Sequence, residues 1–415
     1  MVLGLMVFSR SACADDRLVD GVPLPSDAAI ETGSSATDVQ RQWRGVWIGA
    51  WGGTLKHILV VEAIAEDGSA RVVYAIGANP SLGIKPNWQR FAGTVSGRTL
   101  TVSGKSFSAS YELTPGVGLK ALYRRGDSVA RASMTRADLA ALMQPDAVVA
   151  WTRGKSEFLQ TGLFEDGRPV RLEVVFFKPE GAGPFPLAVI NHGSTGGGRN
   201  PALFPLTWSD SNLAEFLNEH GWLVAFPQRR GRGKSDGLYD EGFSEPRSFG
   251  YTCEAETSLR GADRALGDIE AAITALRRRS DVAPAPILIG GQSRGGLLAV
   301  AYAGLHPAEV SGVINFVGGW LGEGCPTAVL VNHTLFERGA RYPRPTLWLY
   351  GRSDTFYSIG HSRDNFAAFE KAGGQGSFLE FDVPPGKGHF VIGDPDLWSG
   401  PIENYLRSLS KPEQR

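Results

Sequence analysis

A serine between two glycines, Gly291-Gln292-Ser293-Arg294-Gly295, follows the apolar run 286–290 and leads into an alanine- and leucine-rich stretch. That order reads as strand, sharp turn and helix, which lifts a serine clear of a sheet while the glycines let neighbouring backbone come close. A serine hydroxyl attacks a carbonyl only when a base takes its proton and a third group orients that base. Ser293 is therefore the candidate nucleophile, and the chemistry is acyl transfer. A second copy of the pattern, Gly233-Lys234-Ser235-Asp236-Gly237, lacks the context: the apolar run before it stops early, and Gly242 and Pro246 interrupt the stretch where a helix is required. Ser235 reads as a loop residue. The same loop imitates a phosphate-binding sequence, but Gln228 stands where its first glycine belongs.

The partners are sought downstream. The apolar run 346–350 ends in Gly351-Arg352-Ser353-Asp354, which puts a carboxylate at the carboxyl end of a strand. The run 378–383 is followed by Pro384-Pro385-Gly386-Lys387-Gly388, a loop that presents His389. The order serine, acid, histidine is that of α/β-hydrolases. Asp382 competes with Asp354 but falls inside its strand, and His361 and His306, at helix ends, read as surface residues. Acyl transfer also needs donors for the oxyanion. One is the backbone N–H of Arg294. The run 187–191 leads into His192-Gly193-Ser194-Thr195 and three glycines, so the second donor is assigned to the Ser194 amide, with His192 structural.

These residues resemble the α/β-hydrolase superfamily, in its dienelactone-hydrolase-like and prolyl-oligopeptidase-like branch. The resemblance is carried by NHGS at Asn191 to Ser194, RRGRGKSDG at Arg229 to Gly237, GGQSRGG at Gly290 to Gly296, YGRSD at Tyr350 to Asp354 and GHF at Gly388 to Phe390. It implies Ser293 as nucleophile, His389 as base and Asp354 as its orienter, with the Ser194 and Arg294 amides as the oxyanion hole. Relatives of the dienelactone type are often described with a cysteine nucleophile. The serine here points to an esterase or peptidase.

The elements that must position these groups follow the same pattern. Short, nearly unbroken apolar runs at 170–178, 186–191, 222–227, 286–290, 313–317, 346–350 and 378–383 alternate with helical stretches at 211–219, 254–278, 295–305, 360–371 and 401–409. Parallel strands buried on both faces look like this. The fold class is α/β, a doubly wound, mostly parallel sheet with its site at the carboxyl ends of the strands. An insertion at 318–344 carries Trp320, Leu321, Leu335 and Phe336 and reads as a lid or cleft wall, with Trp320 and Leu321 lining a substrate cleft that favours an apolar or aromatic ester.

Upstream the chain changes character. Short alternating runs at 45–51, 57–63, 70–76, 89–95, 99–102, 107–113 and 120–123, separated by turn signals, predict a small antiparallel β-barrel or sandwich with a lipocalin-like start at Gly45-Val46-Trp47. The expected organisation is a signal-peptide remnant at 1–14, a linker at 15–41, the all-β domain at 42–126, a connector at 127–150 with a short helix at 134–143, and the hydrolase at 151–411.

A net charge of -1 over 415 residues gives no broad attraction to nucleic acid or anionic membrane. The cluster Arg229, Arg230, Arg232 and Lys234 is assigned to internal salt bridges. No apolar stretch is long enough to span a bilayer, no cysteine–histidine spacing marks a metal site, and the chemistry requires no cofactor. Apolar residues 2–8 and Ala12-Cys13-Ala14 read as an export signal. Cleavage after Ala14 leaves Cys253 and Cys325, an even pair expected to form a disulfide in an oxidising, periplasmic or secreted setting. Three functions are in play: an exported carboxylesterase acting on a small-molecule or polymeric ester, an exported peptidase, and a ligand-binding protein whose barrel works on an inactive hydrolase scaffold.

Overall fold

The computed structural model describes residues 16–31, 38–79, 83–114, 118–126, 128–144, 147, 149–151 and 153–409. The expected signal segment at 1–14, with Cys13, lies outside the described residues. The chain divides into two compact units, Met1–Arg153 and Gly154–Arg415.

The first unit opens with a hairpin of β1 (Arg17–Val19) and β2 (Val22–Leu24) within the expected linker, followed by the short helix α1 (Asp38–Trp43). Eight strands then form a closed antiparallel barrel: β3 (Gly45–Trp51), β4 (Leu55–Ile64), β5 (Ser69–Ile76), β6 (Asn87–Ser96), β7 (Thr99–Ser103), β8 (Ser108–Thr114), β9 (Gly118–Arg125) and β10 (Ser128–Ala137). Each strand pairs with the next, and β10 returns to β3, which leaves no open edge. Helix α2 (Leu139–Leu142) follows, capped by the Asp138 side chain.

Alternation along the strands sorts side chains into two sets. Trp47, Trp51, Leu59, Val61, Tyr74 and Tyr111 point inward and fill the barrel with Trp43. Val46, Ile48, Ile58, Val60, Val73 and Ala75 point outward and are covered by Val19, Val22, Leu24 and Leu142. Burial on both faces explains why β3 shows no exposed position at all. The eighth strand, β10, occupies residues assigned to a connector: its runs of Ala, Ser and Arg carry no strong apolar alternation, and only pairing with β9 and β3 makes them a strand.

The second unit contains β11 (Lys155–Glu165), β12 (Arg168–Phe177), β13 (Leu187–Asn191), α3 (Ser211–Glu219), β14 (Leu223–Pro227), α4 (Ala255–Leu276), β15 (Ile287–Gln292), α5 (Arg294–Leu305), β16 (Val310–Phe316), α6 (Ala328–Gly339), β17 (Thr346–Gly351), α7 (Ile359–Lys371), β18 (Gly376–Phe381) and α8 (Pro395–Leu409). The sheet order is β11-β12-β14-β13-β15-β16-β17-β18. The first two strands are antiparallel additions, and from β14 onward every pairing is parallel. The order reverses between β13 and β15, and open α/β sheets bind ligands outside the carboxyl ends of strands at such a switch point.

β13, β14 and β17 are buried at every residue, and α5, apolar on all sides, is buried from Arg294 to Gly304. A helix apolar all round belongs in the interior. Truncating Leu297 or Leu298 to alanine there costs about 2–5 kcal/mol. α3 starts on the Asp210 side chain, α4 on Glu254 and α7 on Ser358, each accepting from a first-turn amide.

Candidate active site

Ser293 stands between β15 and α5 with φ +56° and ψ −124°, a conformation that side chains other than glycine rarely adopt. The surroundings enforce it. The Ser293 N–H donates to the Phe316 carbonyl at 2.9 Å, and the Ser293 carbonyl accepts from Gly296 at 2.9 Å. A Cβ at Gly295 would lie 2.1 Å from the Asn191 carbonyl oxygen, and one at Gly291 would lie 2.5 Å from the Gly295 carbonyl. The two glycines are thus the condition for the tight turn. The Arg294 amide heads α5, among the N–H groups that a helix leaves without an internal acceptor.

Asp354 and His389 meet from two different strand ends. The Nδ1–H of His389 donates to Asp354 Oδ2 at 2.8 Å, and Asp354 Oδ1 accepts from the Phe356 and Tyr357 amides at 2.7 and 3.1 Å. Both carboxylate oxygens are thereby committed, and the imidazole is fixed with Nε2 as its free nitrogen. Two contacts hold the histidine loop. A Cβ at Gly388 would lie 2.1 Å from the Asp354 nitrogen, so only glycine fits before the histidine, and Gln292 Nε2 donates to the His389 carbonyl at 2.8 Å. The residue before Ser293 therefore tethers the His389 loop.

Tyr357 connects the two. Its hydroxyl lies 3.5 Å from Ser293 Oγ, its ring centroid 5.5 Å from that of His389, and it donates to the Gly319 carbonyl at 2.8 Å. Burial pushes its phenol up to about 12, so it stays neutral. Among the described residues Ser293 Oγ hydrogen-bonds to Tyr357 and the His389 imidazole to Asp354, which leaves the serine–histidine bond unformed in this resting arrangement. Such bonds are often long without substrate and tighten in the reacting complex.

The loop after β13 lies against Ser293: a Cβ at Gly193 would sit 3.1 Å from Ser293 Cβ and 3.7 Å from its Oγ. Ser194, next in the chain, carries the amide assigned to the oxyanion. His192 is fully buried, donating Nδ1–H to the Gly193 carbonyl at 2.7 Å and accepting from the Arg229 amide at 3.1 Å. Burial, with Arg229 and Arg232 adding to it, holds His192 well below the ordinary histidine range and keeps it neutral.

A buried charge network backs this loop. Arg229 pairs with Glu241 at 2.6 Å and donates to the His192 carbonyl at 3.0 Å. Arg294 donates to the Glu241 carbonyl at 2.9 Å and faces its carboxylate at 3.3 Å. The Arg294 guanidinium lies between the rings of Tyr251 and Trp320, 3.7 and 4.2 Å from their centroids. Tyr251 in turn reaches Thr195 through its hydroxyl, at 3.1 Å to the amide and 2.9 Å to Oγ1. Burial alone would raise the Glu241 carboxyl, but Arg229 and Arg294 outweigh it and hold it below its ordinary range.

Several sequence expectations change here. Trp320 and Leu321, expected to line the cleft, are 2% and 4% exposed, and Trp320 is spent covering the Arg294 cation. The insertion that carries them holds helix α6 and a buried clamp, Asn332, which accepts from the Trp320 and Leu321 amides. His361 is not a surface residue: it is buried, with Nε2 2.8 Å from Asn332 Nδ2. Cys253 and Cys325 are joined in a disulfide with Cα atoms 5.1 Å apart. It ties the segment just after Tyr251 to the segment after Trp320, the two rings that enclose Arg294.

Ser235 is a buried loop residue whose Oγ accepts from the Glu173 amide and donates to the Gln228 carbonyl. Asp382 is exposed and pairs with Arg352. Arg229 and Arg230 form internal salt bridges, the latter with Asp268 at 2.6 Å. Tyr357 and Glu241 escaped the sequence reading. A tyrosine three residues after the candidate acid was the available signal for the first; a lone glutamate in a loop offered none for the second.

A family model described as "Serine aminopeptidase, S33" matches residues 208–321, a span that includes Ser293 and ends before Asp354 and His389. None of the curated proteins matches the sequence. Among solved structures, Est1E of Butyrivibrio proteoclasticus with ferulic acid bound aligns at 16% identity over 61% of this chain and 98% of its own, with a TM-score of 0.43. An esterase of Pyrococcus furiosus aligns at 17% identity over 64% of this chain and 95% of its own, with a TM-score of 0.41. A prolyl endopeptidase aligns at 15% identity over 87% of this chain and 51% of its own, with a TM-score of 0.40. By its sheet topology, with the matched segment inside it, the unit Gly154–Arg415 has the α/β-hydrolase fold.

Proposed function

We propose that the protein is an exported serine hydrolase that cleaves carboxylic esters through an acyl-enzyme. The observation that carries this reading is the pairing of His389 with Asp354 at 2.8 Å beside a serine held in an elbow conformation. Ser293 Oγ attacks the ester carbonyl as His389 Nε2 takes its proton. Asp354 holds the ring and stabilises the imidazolium. The tetrahedral oxyanion is received by the Arg294 and Ser194 amides. His389 returns the proton to the departing alcohol, and water then repeats the sequence to release the acid.

Export is supported by the disulfide, which oxidising compartments maintain. Among the described residues no helix is long and apolar enough to cross a membrane. A peptidase reading is favoured by the description of the matched family model, and comparing peptide amides with esters of the same acyl group separates the two. The decisive experiment is labelling by a fluorophosphonate. The wild type labels and Ser293→Ala does not, with hydrolysis reduced on the order of 10⁶-fold, as for loss of a nucleophile acting within a triad. A folded wild type that fails to label removes the reading in favour of a binding protein on an inactive scaffold.

A further inference from the structure

In acyl transfer the general acid that protonates the leaving oxygen is the group that deprotonated the nucleophile. The departing alcohol must therefore leave beside His389 Nε2, and the rest of that alcohol must lie on whatever surface surrounds the imidazole. Two phenylalanines make that surface. Phe356 packs on the His389 ring at 4.4 Å between centroids with planes 41° apart, and Phe390 stands edge-on to it at 5.8 Å and 87°. Both are held by the site itself: the Phe356 amide donates to Asp354, and Phe390 follows His389 in the chain. Their rings nevertheless stay open, with Phe356 44% and Phe390 55% exposed, while the third neighbour of the imidazole, Tyr357, is buried. Large apolar side chains exposed together mark contact surfaces for other molecules.

We propose that Phe356 and Phe390 form the leaving-group side of the cleft and that the natural ester has an apolar alcohol half, aromatic or long-chain. This inference rests on the ester-hydrolase reading above. The reaction is one exchange of bonds: Ser293 Oγ bonds the carbonyl carbon, the carbon–oxygen bond to the alcohol breaks, and the serine proton travels through His389 to the alcohol oxygen. The alcohol gains apolar contact only while it remains attached, so the preference resides in acylation. The acyl-enzyme has lost the alcohol and hydrolyses at one rate whichever ester formed it.

The test uses the full protein with acetate esters of methanol, butanol and 2-phenylethanol, which share an acyl group and have leaving groups of similar basicity. The ratio of kcat/KM for 2-phenylethyl over methyl acetate should be on the order of tenfold or more, the scale of discrimination that apolar pockets give. It should fall towards one in the double variant Phe356→Ala/Phe390→Ala. Phe164→Ala, an exposed phenylalanine on β11, serves as the control and keeps the ratio. Losing the packing of Phe356 on the imidazole would lower all esters alike and leave the ratio unmoved, so the ratio isolates the contact with substrate. A wild-type ratio near one, or a ratio that survives in the double variant, overturns this inference alone. Failure to form any acyl-enzyme overturns the hydrolase reading, and this inference with it.

Discussion

Two histidines set among aromatic rings separate the two units. In the barrel, His57 is fully buried beside Trp51 and Tyr74, 5.0 and 4.3 Å from their ring centroids. Its Nδ1–H donates to the Ala75 carbonyl at 2.8 Å and its Nε2 accepts from the Tyr111 hydroxyl at 2.9 Å. In the second unit, His389 also rests on an aromatic ring and also donates through Nδ1, but to a carboxylate, and its Nε2 has no hydrogen-bond partner among the described residues. The first ring has both nitrogens occupied and serves packing. The second has one nitrogen anchored and one open, which is what the proposed role as general base requires. Aromatic company and a fixed tautomer are common to both rings; the charge of the partner and the open nitrogen are what set His389 apart in the proposed mechanism.

The largest way to break this contrast is Asp354→Asn, which gives His389 a neutral partner as His57 has. Loss of kcat on the order of 10⁴-fold is expected, with unchanged far-ultraviolet circular dichroism, since the same change in a serine triad has that effect by favouring the wrong tautomer. A residual rate within tenfold of wild type would mean that Asp354 does not orient the base.

Glu241→Gln probes the buried charge behind the site. It leaves Arg229 and Arg294 buried without their carboxylate, which costs about 3–5 kcal/mol in a broken buried pair. The denaturant midpoint reads this, and a midpoint equal to wild type would show the network to be dispensable.

The effect that is smallest near neutral pH sharpens the barrel side. Burial holds His57 at about 3 despite its bond to the Ala75 carbonyl, against an ordinary value of about 6.5. The depressed folded value means that the unfolded chain takes up a proton first on acidification. The stability is intact above about pH 6.5 and is lost as the pH falls towards 3, by at most about 1.4 kcal/mol per pH unit. His57→Gln should flatten the dependence of the unfolding midpoint on pH over that window. Parallel curves for the two proteins would reject the assignment.

Much of the hydrolase unit could be read in one dimension. β13, β15 and β17 are continuous apolar runs because their strands are covered on both faces, and the glycines around Ser293 are demanded by backbone approaches of 2.1–2.5 Å. The edge strand β11 was missed because most of its positions are exposed and its one fully buried residue is Leu159. β10 was missed because small and charged residues become a strand there through pairing alone. The cleft was misassigned at Trp320 for a related reason. An indole after a strand looks the same in sequence whether it meets a substrate or a buried guanidinium, and Arg294 decided it.

The sequence by itself determined the elbow at Ser293, the serine, acid, histidine order and the pairing of the two cysteines beyond position 13, since these depend on local sterics, chain order and small numbers. Only the tertiary structure decided that Asp354 and His389 touch, that Tyr357 reaches Ser293, that Trp320 lies inside and that two phenylalanines stay open beside His389. Those outcomes depend on how strand ends far apart in the chain converge. Burial and partner choice are set by that convergence, and no local pattern encodes it.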